Sequence, residues 1–207
     1  MKRLDAFIVT LIVLNFLWFG WRIYQANHAP SKLITSVSPK EIIGKRSNLI
    51  GTSNSGYTLI EFGDYQCPPC ARMFHQIEEF MEQHEGAVQF QFRHYPLPSH
   101  KYAFPASIIA EQARSTGNFQ SVHNQLYSHD AKLDETVLND IALRNKLNYS
   151  AEEGLSPTDT KSAEIVHTDK EVGNKIPIQG TPSLFLCTPD QKIYQLVSVE
   201  QVKDFIR

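Results

Sequence analysis

Four consecutive residues, Cys67-Pro68-Pro69-Cys70, hold two of the three cysteines in a chain of 207 residues. Two thiols at that spacing can clamp a metal, carry a haem, close an inert structural bond, or pass electrons by cycling between dithiol and disulfide. A closed zinc site needs four ligands. The remaining cysteine, Cys187, lies more than a hundred residues further on, and the eight histidines form no HxxxH pair. Haem attachment needs a histidine directly after the second cysteine, where this chain has Ala71. A copper(I) dithiolate stays open to the pair, although no methionine cluster supports it. An inert disulfide across so short a loop constrains the unfolded chain little.

Redox exchange remains, and the surroundings favour it. Cys67 falls where a β-rich run gives way to a helical one. There the free N–H groups of the first turn and the positive end of the helix dipole favour a thiolate. The thiolate is the attacking species in disulfide exchange, and such sites lower a cysteine from ~8.5 to as little as ~3.5. Cys70, one turn on and facing the body, is then the resolving thiol. Pro68 and Pro69 need no intrahelical donor in the first turn. They also remove N–H groups that could bond the sulfur, leaving the amides of Cys70 and Ala71. A less depressed thiol than at a site with histidine in the dipeptide is expected. The chemistry requires Cys67 to be ionised and reachable.

The elements that must position this pair are legible around it. TyrThrLeuIleGluPhe, 57 to 62, is a β-rich run and the expected central strand. Met73, Phe74, Ile77, Phe80 and Met81 recur at helical spacing up to a stop near Gly86. ValGlnPheGlnPheArg, 88 to 93, alternates and predicts a second strand, ended by TyrProLeuPro. Residues 104 to 175 are helical in character. One helix is expected from Pro105 to Ser115 and another from Phe119 to Tyr127. A third is N-capped by Asp134, and a fourth is opened by Ser156-Pro157. Two strands, 181 to 187 and 192 to 197, form a hairpin around Pro189-Asp190, and a short helix follows. This order predicts an α/β sheet with a parallel βαβ start and an antiparallel finish.

Ahead of that domain, residues 6 to 21 (AFIVTLIVLNFLWFGW) carry no charge. As a helix they span about 24 Å, and Ile23 and Tyr24 extend the span if Arg22 snorkels. Trp18, Trp21 and Tyr24 fit an interfacial belt, and Lys2-Arg3 favour a cytoplasmic N-terminus. The expectation is a signal-anchor or signal peptide over 1–24, with Asn27 and Ala29 the candidate cleavage pair. A linker is expected over 25–47 and a folded domain over 48–207. The formal net charge of −2 and the absence of a basic run exclude a nucleic-acid partner.

LeuIleGluPheGlyAspTyrGlnCysProProCys resembles the active-site segment of the DsbA-like branch of the thioredoxin superfamily. The likeness extends to ArgHisTyrProLeuProSerHis (93 to 100), the helical insertion (about 104–175) and GlyThrProSerLeuPhe (180 to 185). It implies a thioredoxin fold and thiol:disulfide oxidoreductase activity, with neither cofactor nor metal. It also implies a cis-proline loop at Thr181 and Pro182 that binds the substrate backbone. Glu61, six positions before Cys67, is implied to be a buried proton acceptor. The implied partners are thiols and disulfides of extracytoplasmic proteins, together with a membrane redox partner, either a quinone-linked oxidase or an electron donor. The implied location is the inner membrane, through residues 6–24, with the domain in the periplasm, or the soluble periplasm after cleavage. The ProPro dipeptide, the approach IleProIleGln (176 to 179) and Thr181 depart from strongly oxidising members. A reductase or isomerase running the same chemistry in reverse therefore stays open, as does a redox-inactive chaperone-like or copper-holding module.

Other residues take plainer readings. Cys187 is a small buried hydrophobe within a strand. Phe104, Phe119 and Tyr127 are core. His75 is exposed on its helix, and His94 and His100 are surface or capping residues beside the 95–98 loop.

Overall fold

The computed structural model describes residues 2–27, 30–44, 49–147, 149 and 157–206. Among them six strands form one sheet: β1 (Lys32–Ile34), β2 (Leu49–Ile50), β3 (Tyr57–Gly63), β4 (Val88–His94), β5 (Ser183–Cys187) and β6 (Ile193–Leu196). Their spatial order is β1-β6-β5-β3-β4-β2. Only β3 and β4 run parallel; every other neighbouring pair is antiparallel. The expected mixed α/β sheet flanked by helices is therefore present. The parallel pair needs a crossover, which α3 (Pro68–Gln83) supplies.

Strand alternation sorts β3 between the two faces. Leu59 faces a core built with Phe74, Ile77 and Phe80 of α3, while Ile60 and Phe62 face a second core with Phe185, Val172 and Ile42. Glu61, at the same parity as Leu59, points to the α3 side. The helical insertion comprises α4 (Ala103–Ser115), α5 (Phe119–Tyr127) and α6 (Glu135–Arg144), and α7 (Pro157–Asn174) follows it. Phe119, Leu126, Tyr127, Leu138 and Ile141 close over the α3 core. The α6 helix starts as the sequence predicts, with the Asp134 carboxylate accepting from the Val137 N–H at 2.8 Å.

Three local expectations are corrected, and β4 is more deeply buried than its alternation alone conveys. Part of the segment read as a linker belongs to the domain. β1 pairs with β6, and α2 (Pro39–Ile43) is capped by Ser38 and buries Ile42 completely. β4 does not have one solvated face, despite its polar alternation: Gln91 and Arg93 are buried. Their donor nitrogens have fixed partners, while the Gln91 Oε1 atom has none among the described residues. Gln91 Nε2 donates to the Ile43 carbonyl at 2.6 Å, Arg93 Nη1 to the Ile42 carbonyl at 2.7 Å, and Arg93 Nε meets Asp169 at 2.7 Å. Burial of the donors is tolerable because each is bonded. α4 begins at Ala103 rather than Pro105. The final element, Val199–Asp204, is a 3-10 helix.

The N-terminal run forms α1 (Lys2–Asn27), which leaves Phe16, Leu17, Trp18, Phe19 and Trp21 exposed. Among the described residues no helix is long and apolar enough to cross a membrane. Ser156 and Ala29, named above as helix opener and cleavage residue, lie outside the described residues, as do residues 45–48.

Candidate active site

The chain leaves β3 at Gly63, turns through Asp64, Tyr65 and Gln66, and enters α3 with Cys67 as its N-cap and Pro68 and Pro69 in the first turn. Gly63 permits a close approach. A Cβ there would fall 2.3 Å from Phe92 Cε2 and 2.9 Å from Glu61 Oε1. Cys70, one turn into α3, points back at the sheet and is wholly buried. Both thiols are free and lie 3.6 Å apart. A disulfide needs ~2.05 Å, so a small rotation of either side chain closes the bond.

The two sulfurs are electrostatically unlike. Cys67 is lowered to about 6, first by a hydrogen bond from the Cys70 thiol. Burial opposes this, and Thr181 and the Cys70 amide add to it. The two expected amides contribute less than the spacing suggested. The Cys70 amide is a lesser contributor than the Cys70 and Thr181 side chains, and the Ala71 N–H is committed to the Cys67 carbonyl at 3.1 Å. Cys70 is pushed far above the ordinary thiol range, chiefly by burial and by its donation to Cys67, with the Glu61 charge adding. One sulfur therefore ionises near neutrality while the other holds its proton.

Thr181 presents two faces to Cys67. In the thiol form, Cys67 donates to the Thr181 carbonyl at 3.3 Å. That contact stabilises the protonated sulfur. The Thr181 hydroxyl oxygen is buried without a partner, and it is the donor that can turn to the sulfur once the proton leaves. The Thr181–Pro182 peptide is cis. A groove of about 520 Å³ begins at these two residues and runs past Gln179, Gln195 and Val197 to Lys32.

Expected accessibility is corrected here. Cys67 is only 4% exposed, because the loop carrying Thr181 lies over it, while Pro68 and Pro69 are exposed. Attack at Cys67 requires that cover to give way.

Glu61 lies beneath the pair, 1% exposed, with Oε1 unbonded. Burial, followed by the Cys67 charge, raises its carboxyl to about 8, against a hydrogen bond with Cys70. A carboxyl that gains and loses its proton near neutrality beside Cys70 is suited to exchange a proton with it.

Asp64 has no role in the sequence reading, and His100 is expected there as a surface or capping residue; instead the two meet. The Asp64 carboxylate is buried and accepts from the Gln66 N–H at 2.7 Å, the Leu97 N–H at 2.8 Å and His100 Nδ1 at 2.8 Å. Gln66 spans the insertion, accepting from the Tyr102 N–H at 2.7 Å and donating to the Leu133 carbonyl at 3.4 Å. The one available signal was that His100 and Asp64 both stand in segments carrying the family resemblance.

His94 is fully buried rather than superficial, bonded through Nε2 to Glu111 at 2.6 Å. His94, Glu111 and Asp169 offer ligand atoms within 4.8 Å of one another. Arg114 pairs with Glu111 and Arg93 with Asp169, so this is an ion-pair network tying α4 and α7 to β4. Cys187 is buried on β5 and raised to about 11 by burial, and His75 is exposed.

A family model described as thioredoxin matches residues 45–207. Among solved structures, one described as the thiol-disulfide exchange protein alpha-DsbA2 from Wolbachia pipientis superposes with TM-score 0.65 at 16% identity. It covers 81% of this chain and 89% of its own. A periplasmic thioredoxin-like protein from Salmonella enterica serovar Typhimurium gives TM-score 0.60 at 19% identity, covering 89% and 93%. At these identities the likeness is one of fold. Among curated proteins, a relative described as Na(+)/H(+) antiporter NhaA 1 of Mycolicibacterium gilvum is 25% identical over 191 residues. The match covers 89% of this chain and 31% of that protein. The chain thus spans about a third of the length of the curated relatives it matches.

Proposed function

The chain belongs to the thioredoxin family, and on that footing we propose that it is an extracytoplasmic thiol:disulfide oxidoreductase of the DsbA-like kind, forming disulfides in exported proteins. The observation that carries this reading is the pairing, 3.6 Å apart, of a readily ionised Cys67 with a proton-holding Cys70. In the oxidising direction a substrate thiolate attacks Cys67 of the Cys67–Cys70 disulfide. The S–S bond breaks, and Cys70 leaves and takes its proton from Glu61. A second substrate thiolate then attacks the substrate sulfur of the mixed disulfide, and Cys67 departs as a thiolate. A low-pKa thiol leaves readily. Two electrons pass from substrate to enzyme, and a membrane quinone-linked partner takes them on. Thr181 and Pro182 hold the partner's backbone beside Cys67, with the adjoining groove receiving its flanking residues.

Tethering through residues 6–24 completes the proposal. Its support is the uncharged run and the exposed apolar side chains of α1. A periplasmic place agrees with the description of the Salmonella relative.

A second reading, a reductase or isomerase fed by a membrane electron donor, is favoured by one value. Cys67, at about 6, lies between the ~3.5 of strong oxidants and the ~7 of thioredoxin. Equilibration with glutathione separates the two. A potential near ~−120 mV supports the oxidase, and one near ~−270 mV supports the reductase. Refolding of a reduced substrate by wild type and Cys67→Ser tests whether the pair acts at all. Equal activity of the two proteins would leave only a binding module.

A further inference from the structure

Asp64 touches both cysteines through its backbone and the segment after β4 through its side chain. Its carbonyl accepts from the Cys67 N–H at 3.1 Å, and its own N–H favours negative charge on Cys70. Its carboxylate is 0% exposed and accepts three hydrogen bonds, from the Gln66 and Leu97 amides and from His100 Nδ1. Since an ionised carboxylate only accepts, the proton of the third bond belongs to His100.

A buried negative charge beside a sulfur that must ionise opposes that ionisation, and Asp64 acts on Cys67 in this sense. Two of its three donors are neutral amides. The third, His100, is the one donor that belongs to a side chain of cationic type, and that side chain is 23% exposed. The titratable groups facing Asp64 are Cys67, Cys70 and Tyr127, with Glu61 beneath the cysteines. None of these is a cation.

We propose that Asp64 and His100 form a charge-balanced positioning pair. It fixes the turn ahead of Cys67 and offsets the carboxylate's opposition to a thiolate there. The pair places part of the control of the redox centre outside the Cys-Pro-Pro-Cys dipeptide, in the loop that leads into α4. This inference rests on Cys67 being the attacking thiolate, as proposed above.

The test is the ultraviolet thiolate absorbance of the reduced full chain against pH. His100→Ala is expected to lower the ionisation constant of Cys67 by about threefold to tenfold. Asp64→Asn is expected to raise it, and in that background His100→Ala is expected to add nothing. Should Asp64→Asn fail to fold, His100→Lys replaces it, and its fixed cation is expected to keep ionisation at or above that of wild type. A His100→Ala constant within twofold of wild type would overturn the proposal. So would a His100→Ala effect that persists in Asp64→Asn, or a His100→Lys that behaves like His100→Ala. If wild-type Cys67 ionises only in the ordinary thiol range, the active-site reading falls and takes this pair's role with it.

Discussion

The Cys67 thiol donates to the Thr181 carbonyl across 3.3 Å, joining segments 114 residues apart. The same residue carries an unpartnered, buried hydroxyl. Thr181 can therefore serve the neutral sulfur with its backbone and the ionised one with its side chain. Thr181→Val keeps the carbonyl, the shape and the fold, and removes only the hydroxyl. The expected result is a Cys67 thiolate that forms at higher pH, by roughly half a unit to one unit, because one hydrogen bond to charge is lost. Thiolate absorbance measures it. An unchanged midpoint would show that the hydroxyl never turns to the sulfur.

Glu61→Gln separates proton exchange from nucleophilic attack. When the reduced protein is given a substrate disulfide, the chemistry runs in reverse. Attack by Cys67 is then expected to continue while resolution by Cys70 slows tenfold or more, since general acid–base assistance contributes roughly 10²–10⁴. Mixed disulfides should accumulate in quenched reactions. Glu61→Gln should also change stability with a defined sign. A carboxyl raised to about 8 in the fold stabilises the protein fully below its unfolded value near ~4.3. It loses that contribution as pH rises through 8. The stability gained by Glu61→Gln should thus grow across this window by on the order of 5 kcal/mol. Denaturant titrations at several pH values read the difference directly, and a flat difference would contradict the buried-acid assignment.

Gly63→Ala tests why the strand ends as it does. Its Cβ would meet the Phe92 ring at 2.3 Å and Glu61 Oε1 at 2.9 Å. Neither neighbour has room to retreat, as both are buried. A loss of about 1–3 kcal/mol is expected from overpacking, together with a shifted Glu61 titration. A folded variant with wild-type resolution kinetics would show that the carboxyl's place is not critical.

His123 is a sensor of acid. Its ring is buried against Phe92, Phe119 and Tyr127, accompanied by the Tyr65 hydroxyl at 3.0 Å. Burial, then the His94 charge, lowers it to about 3. A histidine held neutral in the fold costs stability as pH falls from its unfolded value near ~6.5 toward 3, because only the unfolded chain takes the proton there. His123→Phe should therefore flatten the acid limb of the stability curve over that window, even if it lowers stability at neutral pH through loss of the Tyr65 bond. An acid limb parallel to wild type would contradict this.

Much of the fold was legible because its signals are local. The 57–62 run, the helical spacing from Cys70 and the Asp134 cap each specify their element from neighbouring residues. The close approach of Cys67 and Cys70 was legible for the same reason. What escaped depends on distant partners. β1 has three residues, and the strand it pairs with begins about 160 positions later. The polar face of β4 looks solvated until α2 and α7 supply carbonyls and Asp169 to receive Gln91 and Arg93. The Asp64–His100 contact spans 36 residues, and nothing in either local sequence announces it. The near-burial of Cys67 was hidden likewise, because its cover arrives from the far end of the chain.

The pH dependence of alkylation at Cys67, resolved by peptide mapping in the reduced protein, tests the central claim most directly. The account predicts that Cys67 is modified with a midpoint of about 6, while Cys70 and Cys187 stay unmodified at neutral pH. Modification of Cys67 only above the ordinary thiol value of ~8.5, or of Cys70 before it, would contradict the account.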